Sequence, residues 1–173
     1  MKIRLSSPLQ IDSCVDGEGI RSVIWTQGCP HHCKGCHNPQ THSFTGGYEA
    51  SVSDLINEIE SLEGQDGITF SGGDPMMQPI PCTIIAKRAK ELNYNVWCYT
   101  GFDFEELLER PECVEFLKYI DVLVDGKFIM DLKSYDAMYR GSTNQRIINV
   151  SASLKKKRAV TIKKYKNKKP VLI

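Results

Sequence analysis

Three cysteines crowd into eight residues, Cys29-Pro-His-His-Cys33-Lys-Gly-Cys36, a Cys-x3-Cys-x2-Cys spacing. Thiolates so close together bind metal, and iron–sulfur clusters are held by cysteine thiolates, normally four of them. Three ligands leave one iron without a donor from the chain, the open position that a catalytic metal centre needs. A small molecule with an amine and a carboxylate could fill it. Zinc is the plain alternative: a structural zinc site takes four closed ligands, and His31, His32, His37 or Cys14 could supply the fourth. His31 and His32 read as solvated residues inside the loop. His37 follows Cys36 directly and is better placed to line a cofactor, while His42 reads as surface. No histidine stands with a Ser or Asp in a hydrolytic-triad pattern.

Further along, Gly72-Gly73-Asp74 can bring bare backbone close to a ligand. A plain turn is the other reading, and a phosphate loop is disfavoured because no Gly-Lys-Ser/Thr follows. Asp125 and Lys127 stand two apart, so in an extended segment their side chains point the same way. The acid can accept from ribose hydroxyls or an ammonium, and the lysine can pair with a carboxylate. An exposed surface pair is the alternative. Thr100 is a further candidate for a polar contact.

These groups need strands and helices to hold them. Ser22 to Thr26, Ile68 to Phe70, Val96 to Tyr99 and Val122 to Val124 are short β-rich apolar runs. Val52, Leu55, Ile56, Ile59 and Leu62 make one helical face, with Ser51 and Asp54 at its start and Gly64 as its stop. Pro79 and Pro81 open a second helix running to about Leu92, with Ile84, Ile85, Ala89 and Leu92 inward. Asp103 with Glu106 begins a third, which Pro111 interrupts or ends. Alternating strands and helices predict βαβ units on a parallel sheet, with functional groups beyond the strands' C-terminal ends. The cysteine loop, the Gly-Gly-Asp, Thr100-Gly101 and Asp125-Gly126-Lys127 all follow strands, so they converge on one rim. There are too few βα units to close an eight-unit barrel of about 250 residues. The expected fold is therefore α/β, a partial, open (β/α) barrel with the active site at the C-terminal strand ends.

Five strings, GCPHHCKGCHNPQTH, TFSGGDPMMQP, WCYTGF, DVLVDGKF and RGSTNQRIINV, run in order from about Ser13 to Ser153. The cysteine spacing resembles the cluster motif of the radical S-adenosylmethionine superfamily. Read together, the strings resemble the activating proteins of anaerobic (class III) ribonucleoside-triphosphate reductases. The resemblance implies one [4Fe–4S] cluster on Cys29, Cys33 and Cys36, with S-adenosylmethionine chelating the open iron. It implies cofactor contacts from Gly35, Cys36, His37, Gly72, Gly73, Asp74, Thr100, Asp125 and Lys127. At Asp74 the superfamily has a glutamate, one methylene longer, so the backbone role carries over to Gly72 and Gly73 more directly than the side-chain role to Asp74. Gly35 stands where an aromatic is often found, which leaves adenine stacking to another group such as His37. The implied partners are the large reductase subunit and a flavodoxin-like electron donor. The implied chemistry is reductive cleavage to methionine and a 5′-deoxyadenosyl radical that takes a hydrogen from a glycine of that subunit. Another glycyl-radical activase or a small-molecule radical enzyme is the rival within the superfamily. A zinc-binding, non-enzymatic module is the rival outside it.

Length and composition bound the rest. The 173 residues suit one core: an activase domain over 1–153 and a lysine-rich C-terminal extension over 154–173. Seven cysteines, an odd number in a chain with no signal-like start, argue against a disulfide scaffold and for a cytoplasmic setting. Cys14, Cys82, Cys98 and Cys113 read as small buried apolar residues. No apolar run is long enough to span a membrane. All 21 acids precede residue 137, whereas the last 37 residues carry 11 of the 22 Lys and Arg. That tail reads as a solvated or docking end with a short strand at Ala159–Ile162. Nucleic-acid binding is disfavoured, because no reading module accompanies the charges.

Overall fold

The computed structural model describes residues 1–165. The rest of the solvated or docking end expected from the sequence lies outside the described residues. Eight strands make one sheet: β1 (Lys2–Leu5), β2 (Gln10–Ser13), β3 (Arg21–Thr26), β4 (Tyr48–Ser51), β5 (Gly67–Gly72), β6 (Asn95–Tyr99), β7 (Val122–Asp125) and β8 (Arg146–Asn149). Their order is β4-β1-β3-β5-β6-β7-β8, with β2 also on β3. The central four, β3, β5, β6 and β7, are parallel. The outer strands β1, β2, β4 and β8 pair antiparallel. The sheet stays open, with a largely parallel centre as expected.

Helices α1 (Val52–Glu60), α2 (Pro79–Glu91), α3 (Phe104–Leu107), α4 (Pro111–Leu117) and α5 (Val150–Lys156) complete the fold. Ser51 Oγ accepts from the Asp54 N–H at the start of α1. Pro79 occupies the first turn of α2, where a missing N–H costs nothing. Its buried face is Cys82, Ile85, Ala86 and Ala89, a true i, i+3, i+4, i+7 stripe; Ile84, expected inward, lies exposed one position off it. Asp103 and Glu106 close a reciprocal capping box on α3, and Pro111 opens α4 rather than merely ending α3.

Strand alternation divides the sheet into two faces. Ile24, Ile68, Phe70, Val96, Cys98 and Leu123 join the main core beside the helices. Trp97, Val122, Val124 and Ile147 face the other way, with Tyr139 and Tyr165 packed on them. The inner face is more polar. Buried Arg21 lies over the Trp97 ring and donates to Thr69 Oγ1 at 2.7 Å and to the carbonyls of Glu18, Ile68 and Asn95. Its distributed hydrogen bonds keep the charge solvated by peptide dipoles, yet burial pulls its pKa down to about 10. The C-terminal segment closes this face. A bridge from Thr161 to Ile148 stands where a strand was expected, and Tyr165 is buried. The position 153/154 falls inside α5. Cys82, Cys98 and Cys113 are buried as expected, while Cys14 is exposed. No helix among the described residues is long and apolar enough to cross a membrane.

Candidate functional site

β3 delivers the chain into the cysteine loop. Buried Gln27 pins it, its Nε2 donating to the carbonyls of Gln40 and Ser43 at 3.2 and 2.7 Å. The Gly28 and Cys29 N–H groups donate to Thr41 O and His42 O, and a 3₁₀ turn at Pro39–Thr41 closes the loop. Within it the Cys36 N–H donates to Cys33 O, and Cys36 Sγ accepts from the Asn38 N–H at 3.4 Å. Cys29, Cys33 and Cys36 are all half-buried and free, and all three line one cavity of about 480 Å³. That cavity lies at the C-terminal ends of the parallel strands, where Ser71, Gly72, Gly73, Tyr99, Thr100 and Gly126 also reach it. The expected convergence of four strand ends on one rim is present.

The glycines at the end of β5 are required by contact. A Cβ on Gly73 would stand 2.4 Å from Gly28 O, and one on Gly72 2.5 Å from Thr26 O. The Gly73 and Asp74 N–H groups donate to Thr26 O and Gly28 O, fastening β5 to the root of the cysteine loop. Asp74 itself is fully buried and does not line the cavity. Its carboxylate accepts from Met76 N–H, Thr100 Oγ1, Gly101 N–H and His31 Nε2 at 2.8–3.0 Å. One acid thus ties together three strand-end segments, and its side chain is spent on protein partners.

Asp125 and Lys127 correct the expected placement. Asp125 follows the parity of Leu123 and lies on the helix side, where it accepts from the Phe104 N–H at 2.8 Å and from Arg146 Nε at 3.0 Å. Burial pushes its carboxyl up, against the pull of Arg146 and that N–H. Gly126, at φ +95°, breaks the alternation, so the two side chains do not point together, and Lys127 lies exposed. Gly35 also stays off the cavity wall; it packs against Met130 Sδ. His37 does line the cavity, its ring centroid 5.0 Å from that of Phe128.

The donor chemistry bears on which group fits. Burial pushes the Cys29 thiol up to about 11, with the nearby Asp74 charge adding to it. Such a thiol becomes a thiolate when a metal centre takes the proton's place. The proposed fourth zinc ligands do not close a site. His31 Nε2 is engaged by Asp74, His32 packs on His42, His37 on Phe128, and Cys14 does not reach the cavity. Among the described residues the trio with donor atoms within 4.8 Å of one another is Cys29, His31 and Asp74, not the three thiols. Three soft donors spread around an open cavity suit a multi-iron cluster better than one tetrahedral ion.

Comparison with known proteins agrees. A family model described as a 4Fe-4S single cluster domain matches residues 15–148. The anaerobic ribonucleoside-triphosphate reductase-activating protein of Haemophilus influenzae is 35% identical over 141 residues, 77% of this chain and 90% of that one. The proteins of the same name from Escherichia coli and Enterobacteria phage T4 are 34% and 32% identical, over 76% and 77% of this chain and 89% and 86% of theirs. The chain belongs to this activating-protein family. Among solved structures, QueE from Escherichia coli superposes with a TM-score of 0.48 at 17% identity, over 58% of this chain and 53% of that one.

Sequence reasoning missed several residues of this activating-family site. His31, taken as solvated, has a side chain only 6% exposed and bonds Asp74 at 2.8 Å, with its ring against Phe102. Its neighbours in sequence are polar or proline, so no periodicity marks it. Asp16 and Tyr99 line the cavity, and burial raises the Tyr99 phenol well above its usual range. Tyr99 could have been found from strand parity, since it shares a face with Trp97. Gln145 clasps the loop before β8, accepting from the Gly141 and Ser142 N–H groups and donating to Gly126 O. Only the motif string around it was legible.

Proposed function

We propose that this protein activates an anaerobic ribonucleoside-triphosphate reductase by placing a glycyl radical on its large subunit, as a radical S-adenosylmethionine enzyme of the oxidoreductase class. The observation that carries the reading is the meeting of three half-buried thiols and the glycine-lined ends of parallel strands on one open cavity. Cys29, Cys33 and Cys36 would hold a [4Fe–4S] cluster, leaving one iron for S-adenosylmethionine. Reduced by a flavodoxin-like donor, such a cluster would supply the one-electron chemistry for reductive cleavage of S-adenosylmethionine and, through it, hydrogen abstraction from a glycine.

The chain's own residues orient and enclose that chemistry. Gly72 and Gly73 bring backbone to the cavity wall, and their lack of side chains lets that wall pack directly on the Thr26 and Gly28 backbone at the root of the cysteine loop. Thr100 is held by Asp74 with its backbone at the cavity wall. His37 and Phe128 offer ring surface for an adenine. The cluster of Trp97, Tyr139 and Tyr165 closes the inner face below the cavity and keeps water from that side. Seven unpaired cysteines suit a reducing cytoplasm.

The test is the electron paramagnetic resonance spectrum of anaerobically reconstituted, dithionite-reduced protein, with and without S-adenosylmethionine. A [4Fe–4S]⁺ signal that changes on addition, followed by a glycyl signal on the reductase subunit, is expected. A cluster signal indifferent to the cofactor removes the proposed chemistry. Colourless protein carrying stoichiometric zinc returns the structural-metal reading. Cys33→Ala is expected to lose both the cluster, read as iron content, and radical formation; a cluster-bearing, fully active variant would sink the ligand assignment.

A further inference from the structure

β7 and β8 are antiparallel neighbours with Asp125 opposite Arg146, a pairing that two to five residues normally connect. Here 20 residues intervene. Long connections inside compact domains are usually functional. This one is fastened at its base. Gln145 bonds three of its backbone groups, Asn144 Nδ2 donates to Lys127 O at 2.9 Å, and Lys133 bridges Ser142. Beyond the base it turns large apolar side chains outward: Ile129, Met130, Leu132, Tyr135 and Met138 are all exposed, Tyr135 at 92% and Met138 at 55%. A stretch built rigidly and yet left apolar in water marks a protein contact. Two methionines make it an adaptable one.

The same loop forms part of the cavity. Phe128, Tyr139, Arg140 and Gly141 line it. Met130 packs on Gly35 of the cysteine loop, and Gly141 lies against His37. The exposed apolar side chains therefore belong to the same loop that walls the cavity, interspersed with exposed Asp131, Lys133 and Asp136. An occupant of the patch must lie where it can send a segment of chain into the cavity. A small-molecule substrate needs no such platform; a protein substrate does.

We infer that the 126–145 loop is the docking platform for the protein substrate, the large reductase subunit, which meets it with an apolar surface next to its glycine-bearing segment. This deepens the proposed function and rests on it. Tyr135, whose ring faces the Lys133 ammonium of the same loop at 4.9 Å, and Met138 anchor the contact, being the most exposed of these apolar side chains.

The experiment uses full-length, cluster-loaded Tyr135→Lys/Met138→Glu double variant and wild type, with the large subunit of an anaerobic ribonucleoside-triphosphate reductase. Two rates are measured: reductive cleavage of S-adenosylmethionine without the subunit, and glycyl-radical formation against subunit concentration. The variant is expected to keep partner-free cleavage and to need at least about tenfold more subunit for half-maximal radical formation, the scale of losing interface anchors. An unchanged concentration dependence overturns the docking assignment. So does a wild-type dimer that the double variant abolishes while subunit dependence stays the same, which would make a second copy the occupant. A wild-type protein that cleaves the cofactor but puts no radical on the subunit overturns the proposed function instead, and the platform assignment falls with it.

Discussion

The ends of β5 and β7 look alike in sequence and do different work. Each has a glycine at positive φ, Gly72 at +103° and Gly126 at +95°, and each carries a fully buried aspartate. Asp74 gathers donors from its own turn, from the end of β6 and from His31 of the cysteine loop. Asp125 takes the Phe104 N–H and the Arg146 guanidinium, fixing α3 and β8 to the scaffold. Order decides this: at β5 the glycines precede the acid, so the strand has ended and the chain has turned under the cavity. At β7 the acid is still in register and obeys strand parity, which sends it to the helix side. A Gly/Asp string at a strand end thus gives the position along the strand but not the face.

The sharpest way to break the comparison is to add a methyl group at each end. In Gly73→Ala the new Cβ meets the Gly28 backbone at 2.4 Å, which cannot yield without moving the cysteine loop. A loss of about 3 kcal/mol in folding stability is expected, together with poor cluster loading measured as iron per chain. In Gly126→Ala nothing lies closer than 3.6 Å, so only the strain of positive φ remains. That is worth about 1–2 kcal/mol, with loading unchanged. Equal losses in urea denaturation would mean that the β5 end is no tighter than the β7 end.

The acids give the next pair. Asp74→Asn keeps shape but replaces one acceptor by a donor amid four donors. The expected result is a cluster that still loads, with the half-saturating S-adenosylmethionine concentration in the paramagnetic resonance titration raised about fivefold, the equivalent of about 1 kcal/mol of misplaced hydrogen bonding at the rim. Asp125→Asn leaves Arg146 with Glu105, at 2.7 Å, as its acidic partner. Breaking a buried pair costs about 3–5 kcal/mol, and Arg146 is one-third exposed, so about 2 kcal/mol is expected with the cofactor titration unmoved. An Asp125→Asn protein with weakened cofactor response would return that acid to the site.

These contrasts show what a sequence can carry. The parallel centre was legible because β3, β5, β6 and β7 are apolar runs separated by patterned helices. The antiparallel edges were not: β2 (QIDS) and β4 (YEAS) are short and largely exposed, and β4 pairs with β1, far back along the chain. The cysteine loop was legible because its three cysteines are local in sequence. His31 and Asp74 are 43 positions apart, and only the fold makes them one unit. The placement of Ile84 failed for a smaller reason, a helix phase set by Cys82 and Ala86, which count as weakly apolar until they are seen packed.

The smallest expected effect lies at the far end of the inner face. Glu18 accepts from Lys164 Nζ at 2.6 Å and from the Tyr165 hydroxyl, which holds the C-terminal segment against Trp97. These two partners pull the Glu18 carboxyl below its ordinary value of 4.5. A carboxyl lowered in the folded state binds fewer protons there than in the unfolded chain, so its contribution is complete above about pH 5 and fades as pH falls through the folded value. Glu18 and Lys164 are both more than half exposed, so water and salt screen the pair heavily. Glu18→Gln is therefore expected to lower Tm by only about 1–2 °C at pH 7, with the gap from wild type closing as pH falls through the folded-state value and narrowing in high salt. Burial of Tyr165 against Trp97 does most of the holding and does not titrate in that range. A gap that persists undiminished at low pH would show that the glutamate acts through shape and neutral hydrogen bonding alone, which is how Asp74 meets its N–H and hydroxyl donors at the opposite end of the sheet.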